Sequence, residues 1–319
     1  MNEYIIKLSF KTPVHFGNGR LTSSENSICA DTLFSAFYKE AIKIDGIQYA
    51  EKLRKYAENG MFKISDLLPF YNDTLFIPKP PVPLNIEAQD DSSLKKKFRK
   101  LSFLPVNDLA SYMTGNYNPD IALDMLDSFG KYSVRSNVKI NKSEDNEPFS
   151  VGVFTFNKNS GLYFVAYCED SSDDILFDIL DSLSYTGIGG ELSSGLGKFD
   201  YTYIESNKMP KSFSDRLHGA YRRYISLSIS LPSDNELDKA MTNSDFEIIK
   251  RSGYVSSESY SDKPLRKNDL YCFKAGSIFE SKFDGIIADV SNNGNHPVYK
   301  YAKPLWFGID WGGEQWKDF

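Results

Sequence analysis

The stretch Thr186-Gly187-Ile188-Gly189-Gly190-Glu191-Leu192-Ser193-Ser194-Gly195-Leu196-Gly197-Lys198-Phe199 decides how this chain is read. It sets five glycines, two serines and a lysine between a helix pattern and a strand pattern. Upstream, Asp173 to Ser184 places Ile175, Leu176, Ile179, Leu180 and Leu183 at helical spacing. Downstream, Lys198 to Ile204 puts Phe199, Tyr201 and Tyr203 on one strand face. Glycine at this density carries a backbone entropy cost, so something should require it. Two readings stay open: a long flexible turn, or a nest of backbone N–H groups around an anion. The familiar nucleotide loops fail. A Walker loop needs glycine where Leu192 stands and Ser or Thr where Phe199 stands, and a dinucleotide loop follows a strand and opens a helix.

Length and composition narrow the classes. At 319 residues the chain suggests about two domains. Hydrophobic content of 41% supplies a sizeable core. The 23 Phe and 20 Tyr serve as core first, and as base-stacking platforms second. A net charge of −6 argues against a free-standing, non-specific nucleic-acid binder, yet allows a local basic groove. Cys29, Cys168 and Cys272 lie far apart with no CxxC pair, so a cysteine zinc site is not expected; their low, odd count suits a reducing cytoplasm. Neither a signal peptide nor an apolar run near the ~20 residues of a membrane span is read, and no cofactor is expected.

Along the chain, Tyr4 to Lys11 reads as a first strand, followed by a polar loop to Ala30 with Gly17, Gly19 and Arg20. Asp31 looks like the N-cap of a helix whose stripe is Leu33, Phe34, Phe37, Ala41 and Ile44. Gln48 to Asn59 reads as a second helix, stopped by Gly60. Leu75 to Pro83 is proline-rich and extended. Lys95, Lys96, Lys97, Arg99 and Lys100 read as a solvated helix face. A helix starts at Asn118-Pro119 and stops at Gly130. Lys131 to Ile140 is a strand, and 149–156 with 162–167 reads as a hairpin about Asn157 to Gly161. The polar stretch Asn207 to Gly219 is the candidate linker. Beyond it Ile225, Leu227, Ile229 and Leu231 alternate with serines, the pattern of a half-buried strand. Strand-like runs follow at 246–254, 269–273, 285–290 and 305–309. The whole is α+β, with units expected at 1–206 and 220–319.

The glycine loop, in the form Gly187-Ile188-Gly189-Gly190 and then Ser193-Ser194-Gly195-Leu196-Gly197-Lys198-Phe199, resembles that of the RAMP superfamily of CRISPR proteins. Three further segments narrow the likeness to the family of fourth Csm subunits of type III-A effector complexes. They are Thr12-Pro13-Val14-His15-Phe16-Gly17 with Ser27 to Ala36, Arg251-Ser252-Gly253-Tyr254-Val255 with Leu270 to Phe279, and Tyr301 to Ile309. The resemblance implies two ferredoxin-like (RRM-like) domains with antiparallel sheets. It implies a non-catalytic RNA-binding subunit that caps a ribonucleoprotein filament and holds the repeat-derived 5′ handle of the guide RNA in antiviral defence. Its expected partners are that RNA, the large polymerase- or cyclase-like subunit and the adjacent backbone RAMP subunit, with no membrane and no directly bound DNA. The expected RNA-facing residues are His15, Gly17, Arg20, Arg135, Lys139, Gly187, Gly189, Gly190, Ser193, Ser194, Gly195, Gly197, Lys198, Arg251, Tyr254 and Lys274. Glycine amides and the two hydroxyls would take phosphate or 2′-OH, and Lys198 would add charge. Arg251 and Tyr254 would offer a charge and a stacking plane, with core packing the other reading of Tyr254. Lys274, Gly276 and Ser277 would form a second nest.

Two rivals remain. One is a metal-independent RAMP endoribonuclease that processes guide precursor with a histidine as acid or base; its candidates are His15, His218 and His296. The other is a protein scaffold whose glycine loop touches only a neighbouring subunit. Asp31 could also tempt as a cleavage residue, but a capping carboxylate accounts for it more simply.

Overall fold

The computed structural model describes residues 2–82, 92–139, 147–169, 172–257 and 259–310. Strand β1 (Asn2–Phe10) leads into helix α1 (Ala30–Glu58), then β2 (Phe62–Ile64), β3 (Leu68–Tyr71) and β4 (Thr74–Pro78). Helix α2 (Ser92–Lys100), β5 (Phe103–Pro105), α3 (Leu109–Met113) and α4 (Asp120–Asp127) follow. Next come β6 (Gly130–Lys139), β7 (Glu147–Phe156), β8 (Ser160–Cys168), α5 (Ser172–Thr186) and β9 (Phe199–Glu205). Helix α6 (Lys211–His218) precedes β10 (Arg223–Ser226), α7 (Asp234–Met241), β11 (Ile248–Arg251) and β12 (Leu270–Phe273). Strands β13 (Ile278–Phe279), β14 (Ile286–Asp289), β15 (Tyr299–Ala302) and β16 (Trp306–Ile309) complete the described chain. The fold is α+β with antiparallel sheets, as the sequence suggests.

A seven-stranded sheet runs β5-β4-β3-β8-β1-β9, with β2 also paired to β8. Successive side chains of a strand point to opposite faces, and here both faces are buried. Ile6, Leu8, Phe164 and Ala166 pack under Leu33, Phe34 and Phe37 of α1 and Ile175, Ile179 and Leu183 of α5. Ile5, Tyr163, Val165 and Leu68 face Ile225, Leu227, Ile278 and Phe307 of the C-terminal strands. Each such Leu, Ile, Val or Phe side chain contributes about 1.5–3 kcal/mol on burial, so the C-terminal strands stabilise the sheet on one face and the helices on the other. This two-sided burial explains the weak alternation of β1.

Several expectations shift. The two helices read at 31–44 and 48–59 do stand: α1 is two helical stretches meeting at the non-helical Asp45–Gly46, where Gly46 takes φ +74°. Asp31 is not the N-cap: Cys29 holds that position without a side-chain cap. The capping carboxylate is Asp66, whose Oδ1 accepts from the Ala30 amide at 2.7 Å. Gly130 opens β6 rather than stopping α4, because an added Cβ would lie 2.4 Å from the Thr155 carbonyl. The hairpin at 149–167 is replaced by two different pairings. β7 forms a ribbon with β6, whereas β8 enters the large sheet. The 207–219 linker holds α6, anchored by buried Phe213. The serines 226, 228 and 230 are buried like their apolar neighbours, so this strand is covered on both faces. Hydrogen bonds make two of them tolerable: Ser226 Oγ donates to the Ser228 carbonyl (2.7 Å) and Ser228 Oγ to the Lys303 carbonyl (2.8 Å). The basic run does lie on α2, where Lys97 pairs with Asp120 and Lys100 with Asp127. Pro83 and Ile140 lie outside the described residues.

Candidate nucleic-acid interface

Three segments meet at one end of the N-terminal unit: the loop between β1 and α1, the β6–β7 ribbon, and the glycine loop between α5 and β9. The first is clamped by the other two. On the ribbon side, Val14 and Phe154 exchange backbone hydrogen bonds at 2.8 and 2.9 Å, and the Gly152 amide donates to the Leu21 carbonyl at 2.8 Å. On the other side, the Gly190 amide donates to the His15 carbonyl and the Gly197 amide to the Pro13 carbonyl, both at 2.9 Å. Leu196 then packs on Val151 and Val153 of β7, closing the triangle.

These contacts narrow the amide nest expected of the loop to part of its length. The amides of Gly187, Ile188, Gly190, Ser194, Gly195 and Gly197 all donate to protein carbonyls, and that of Lys198 to Thr12 Oγ1. The glycines serve close approach within the protein. A Cβ on Gly197 would meet the Ile188 carbonyl oxygen at 2.2 Å, and one on Gly189 the His15 oxygen at 2.8 Å. Gly195 differs: its φ is +77° but the space beside it is open. What the loop leaves to solvent is Gly189, the hydroxyls of Ser193 and Ser194, and the ammonium of Lys198. Gly17 and Arg20 are exposed beside them on the clamped loop. Arg135 is exposed on β6, and Lys139 ends that strand opposite Glu147. Tyr132, Val134 and Val138 of the same strand are also more than half exposed.

The C-terminal candidates sit apart from this surface. Arg251 is committed: Nε and Nη2 reach the two oxygens of Asp31 at 3.0 and 2.8 Å. Burial raises the Asp31 carboxyl, but Arg251 and Lys300 together bring it below its usual range. Asp31 is therefore structural, as an ion-pair centre between the two units rather than as a cap. Tyr254 is exposed, not packed in a core, with the Arg266 guanidinium 5.8 Å from its ring centre. Lys274 pairs with Glu247 at 2.8 Å. The Lys274–Ser277 turn is no open nest, since its Lys274, Gly276 and Ser277 amides donate to Glu247, Ser226 and Lys274 carbonyls. A Cβ on Gly276 would lie 2.8 Å from the Lys79 oxygen, beside β4 and three strands from β1.

The three histidines are each engaged. His15 is buried and its Nδ1–H donates to the Gly152 carbonyl at 2.7 Å. His218 meets Glu3 at 2.8 Å, and His296 meets Ser257 Oγ at 2.9 Å. Among the described residues no group of three His, Cys, Asp or Glu side chains is placed to hold a metal, and no helix is long and apolar enough to cross a membrane. Sequence reading missed Thr12, Gly152 and Leu196, which build the clamp. Gly152 was findable: a glycine inside a strand pattern signals close backbone approach, and a Cβ there would sit 2.5 Å from the Thr22 and Ser23 backbone.

Comparison with known proteins gives this geometry its family. Residues 220–309 match the CRISPR Csm4 C-terminal domain, and residues 7–200 match the RAMP superfamily. The chain belongs to the Csm4 family. It is 36% identical over 311 residues to the CRISPR system Cms protein Csm4 of Mycobacterium tuberculosis, covering 97% of this chain and 98% of that one. With Csm4 of Streptococcus thermophilus it shares 30% over 305 residues, 93% of this chain and 95% of the relative. Its fold resembles a chain in the crystal structure of the Csm3–Csm4 subcomplex of the type III-A interference complex. There the TM-score is 0.63 at 16% identity, over 97% of this chain and all of that one. A chain of the Csm1–Csm4 cassette in complex with pppApA gives 0.60 at 18%, over 98% and 99%. As in any Csm4-family chain read from fold alone, the residues that touch a ligand must be argued from the site itself.

Proposed function

We propose that the protein is a non-catalytic RNA-binding subunit of a type III-A CRISPR effector. In this reading it caps one end of the filament, holds the 5′ handle of the guide RNA, and docks against a Csm1-type large subunit and a Csm3-type backbone subunit. Chains of similar fold occur in a solved Csm3–Csm4 complex and a solved Csm1–Csm4 complex, which supports the choice of partners. Two ferredoxin-like units fit the topology. In the first, β9-β1-β8-β3 is the order fourth, first, third, second. In the second, β16-β10-β13 continues through the Ser230–Phe273 bridge to β12 and β11, giving the same order.

The observation that carries the RNA reading is the clamped surface with its exposed donors. Ser193, Ser194, Lys198, Arg20 and Arg135 present hydroxyls and cations without a paired carboxylate among the described residues. Such groups suit phosphates and 2′-hydroxyls, which position an RNA strand. The rigid loop beneath them would hold the donors in place, which limits the entropy lost on binding. The test is retention of guide RNA by the assembled complex. Ser193→Ala, Ser194→Ala and Lys198→Ala combined should reduce retention and ultraviolet crosslinks to the handle, while the protein remains soluble and still pulls down its neighbours. Unchanged retention and crosslinks would sink the reading. Turnover of a labelled repeat RNA, lost in His15→Ala, would favour the endoribonuclease instead.

A further inference from the structure

The seam between the two units holds more positive charge than its carboxylates answer. Asp31 is buried at the start of α1, and both its oxygens are filled. Oδ2 accepts from Arg251 Nε at 3.0 Å and from Lys300 Nζ; Oδ1 accepts from Arg251 Nη2 at 2.8 Å and from Thr32 Oγ1 at 3.3 Å. Lys267 is a third cation at the same place. It is partly buried, and among the described residues no carboxylate accepts from its ammonium. Burial first, and the neighbouring Lys300 second, push that ammonium down to about 8. Nearby Asp66 is pushed up to about 7 by burial, so it does not supply a full negative charge at neutral pH.

The cluster also has an opening. The Arg251 side chain keeps 22% of its exposure. Gly253 lies against Lys267, whose amide donates to the Gly253 carbonyl at 3.0 Å. A Cβ on Gly253 would meet nothing nearer than Lys267 Cε at 3.7 Å, so there is room above it. A half-buried cation that shares the Asp31 carboxylate with two others is costly, and an arriving anion would relieve it. The guanidinium edge and ammonium together suit a tetrahedral oxyanion.

We propose that the seam at Arg251, Lys267 and Lys300 is a binding site for a single phosphate group. The site stands on the cluster itself; only the identity of the carrier, an RNA backbone phosphate, rests on the function proposed above. Among the described residues no hydrogen bond or ion pair joins Arg251, Lys267 or Lys300 to the glycine loop, so the unit boundary and the loop would hold different points of one strand.

The experiment labels the lysines of the full chain by reductive 13C-methylation and follows them by NMR, with the Lys267 signal assigned by its loss in Lys267→Gln. Inorganic phosphate and a single-stranded RNA are titrated separately. The expected result is a saturable shift of the Lys267 signal and a titration midpoint that moves above about 8. In RNA binding, Lys267→Gln should lower the salt slope by about 0.7, while Lys267→Arg should retain it. A response to phosphate but not to RNA supports the site with a small phosphate carrier. A Lys267 signal unmoved by both overturns the proposal, and the titrations that read it use the unsubstituted chain. Its failure is separable from failure of the RNA reading, because the Ser193, Ser194 and Lys198 variant leaves the Lys267 response to inorganic phosphate intact.

Discussion

The glycine loop and the Lys274–Ser277 turn look alike in sequence, each with glycine, serine and lysine, yet the structure uses them differently. In both, most of the glycine amides donate inside the protein. In the glycine loop the polar side chains of Ser193, Ser194 and Lys198 remain exposed. In the turn, Lys274 is paired with Glu247, and buried Ser277 donates to the Lys274 carbonyl. Glycine content thus reports close approach of backbone, and is silent on what approaches. Whether such a loop serves a ligand depends on what its side chains are left to do.

The largest test of that contrast lies at the C-terminal side, where the side chains are most committed. Asp31→Ala leaves Arg251 and Lys300 without their carboxylate and should cost about 3–5 kcal/mol in urea unfolding. Within the glycine loop, Gly197→Ala forces a Cβ onto a carbonyl at a left-handed φ and should cost about 3 kcal/mol. Gly195→Ala, at a similar φ with open space, should cost only about 1 kcal/mol. Equal costs would erase the distinction between clamped and open glycines. Asp66 gives a pH signature. Its folded carboxyl keeps a proton to about 7, whereas an ordinary one near 3.8 has lost it. The folded state therefore binds more protons across that window, and stability falls as pH rises through it. The slope should reach roughly 1.4 kcal/mol per pH unit, flattening above the folded value. Asp66→Asn should remove the slope. Asp31 works in the opposite sense: its contribution is present above the usual carboxylate range and fades as acid protonates it. The smallest effect is the most pointed. The Ser193, Ser194 and Lys198 alanine variant should change stability by less than about 0.5 kcal/mol while weakening RNA retention.

Much of the fold was legible. The helices at 31–58 and 172–186 follow their apolar stripes, and the strand after the glycine loop follows its aromatic face. What was hidden has specific causes. The Asn157–Gly161 turn reads as a hairpin, but the same residues can carry the chain from one sheet to another. Helix α6 shows a single strong anchor, Phe213, too little for a periodic signal. The run at 225–231 alternates although no face is wet: its serines are buried, and Ser226 and Ser228 bond to backbone. In the candidate site, the exposed hydroxyls and Lys198 were readable from residue type. The commitment of Arg251 was not, since its partner stands 220 positions away.

One carboxylate joins the two units in time as well as in space. Asp66 Oδ1 accepts both the Ala30 amide at 2.7 Å and the Ile229 amide at 3.0 Å. During synthesis the first partner emerges before it and the second long after. Until the C-terminal strands arrive, the sheet side formed by Ile5, Leu68, Tyr163 and Val165 has no cover from Ile225, Leu227 and Phe307. The nascent N-terminal unit is thus a half-roofed structure with a sticky underside, and the strand that carries Phe307 is the one that finishes its cover.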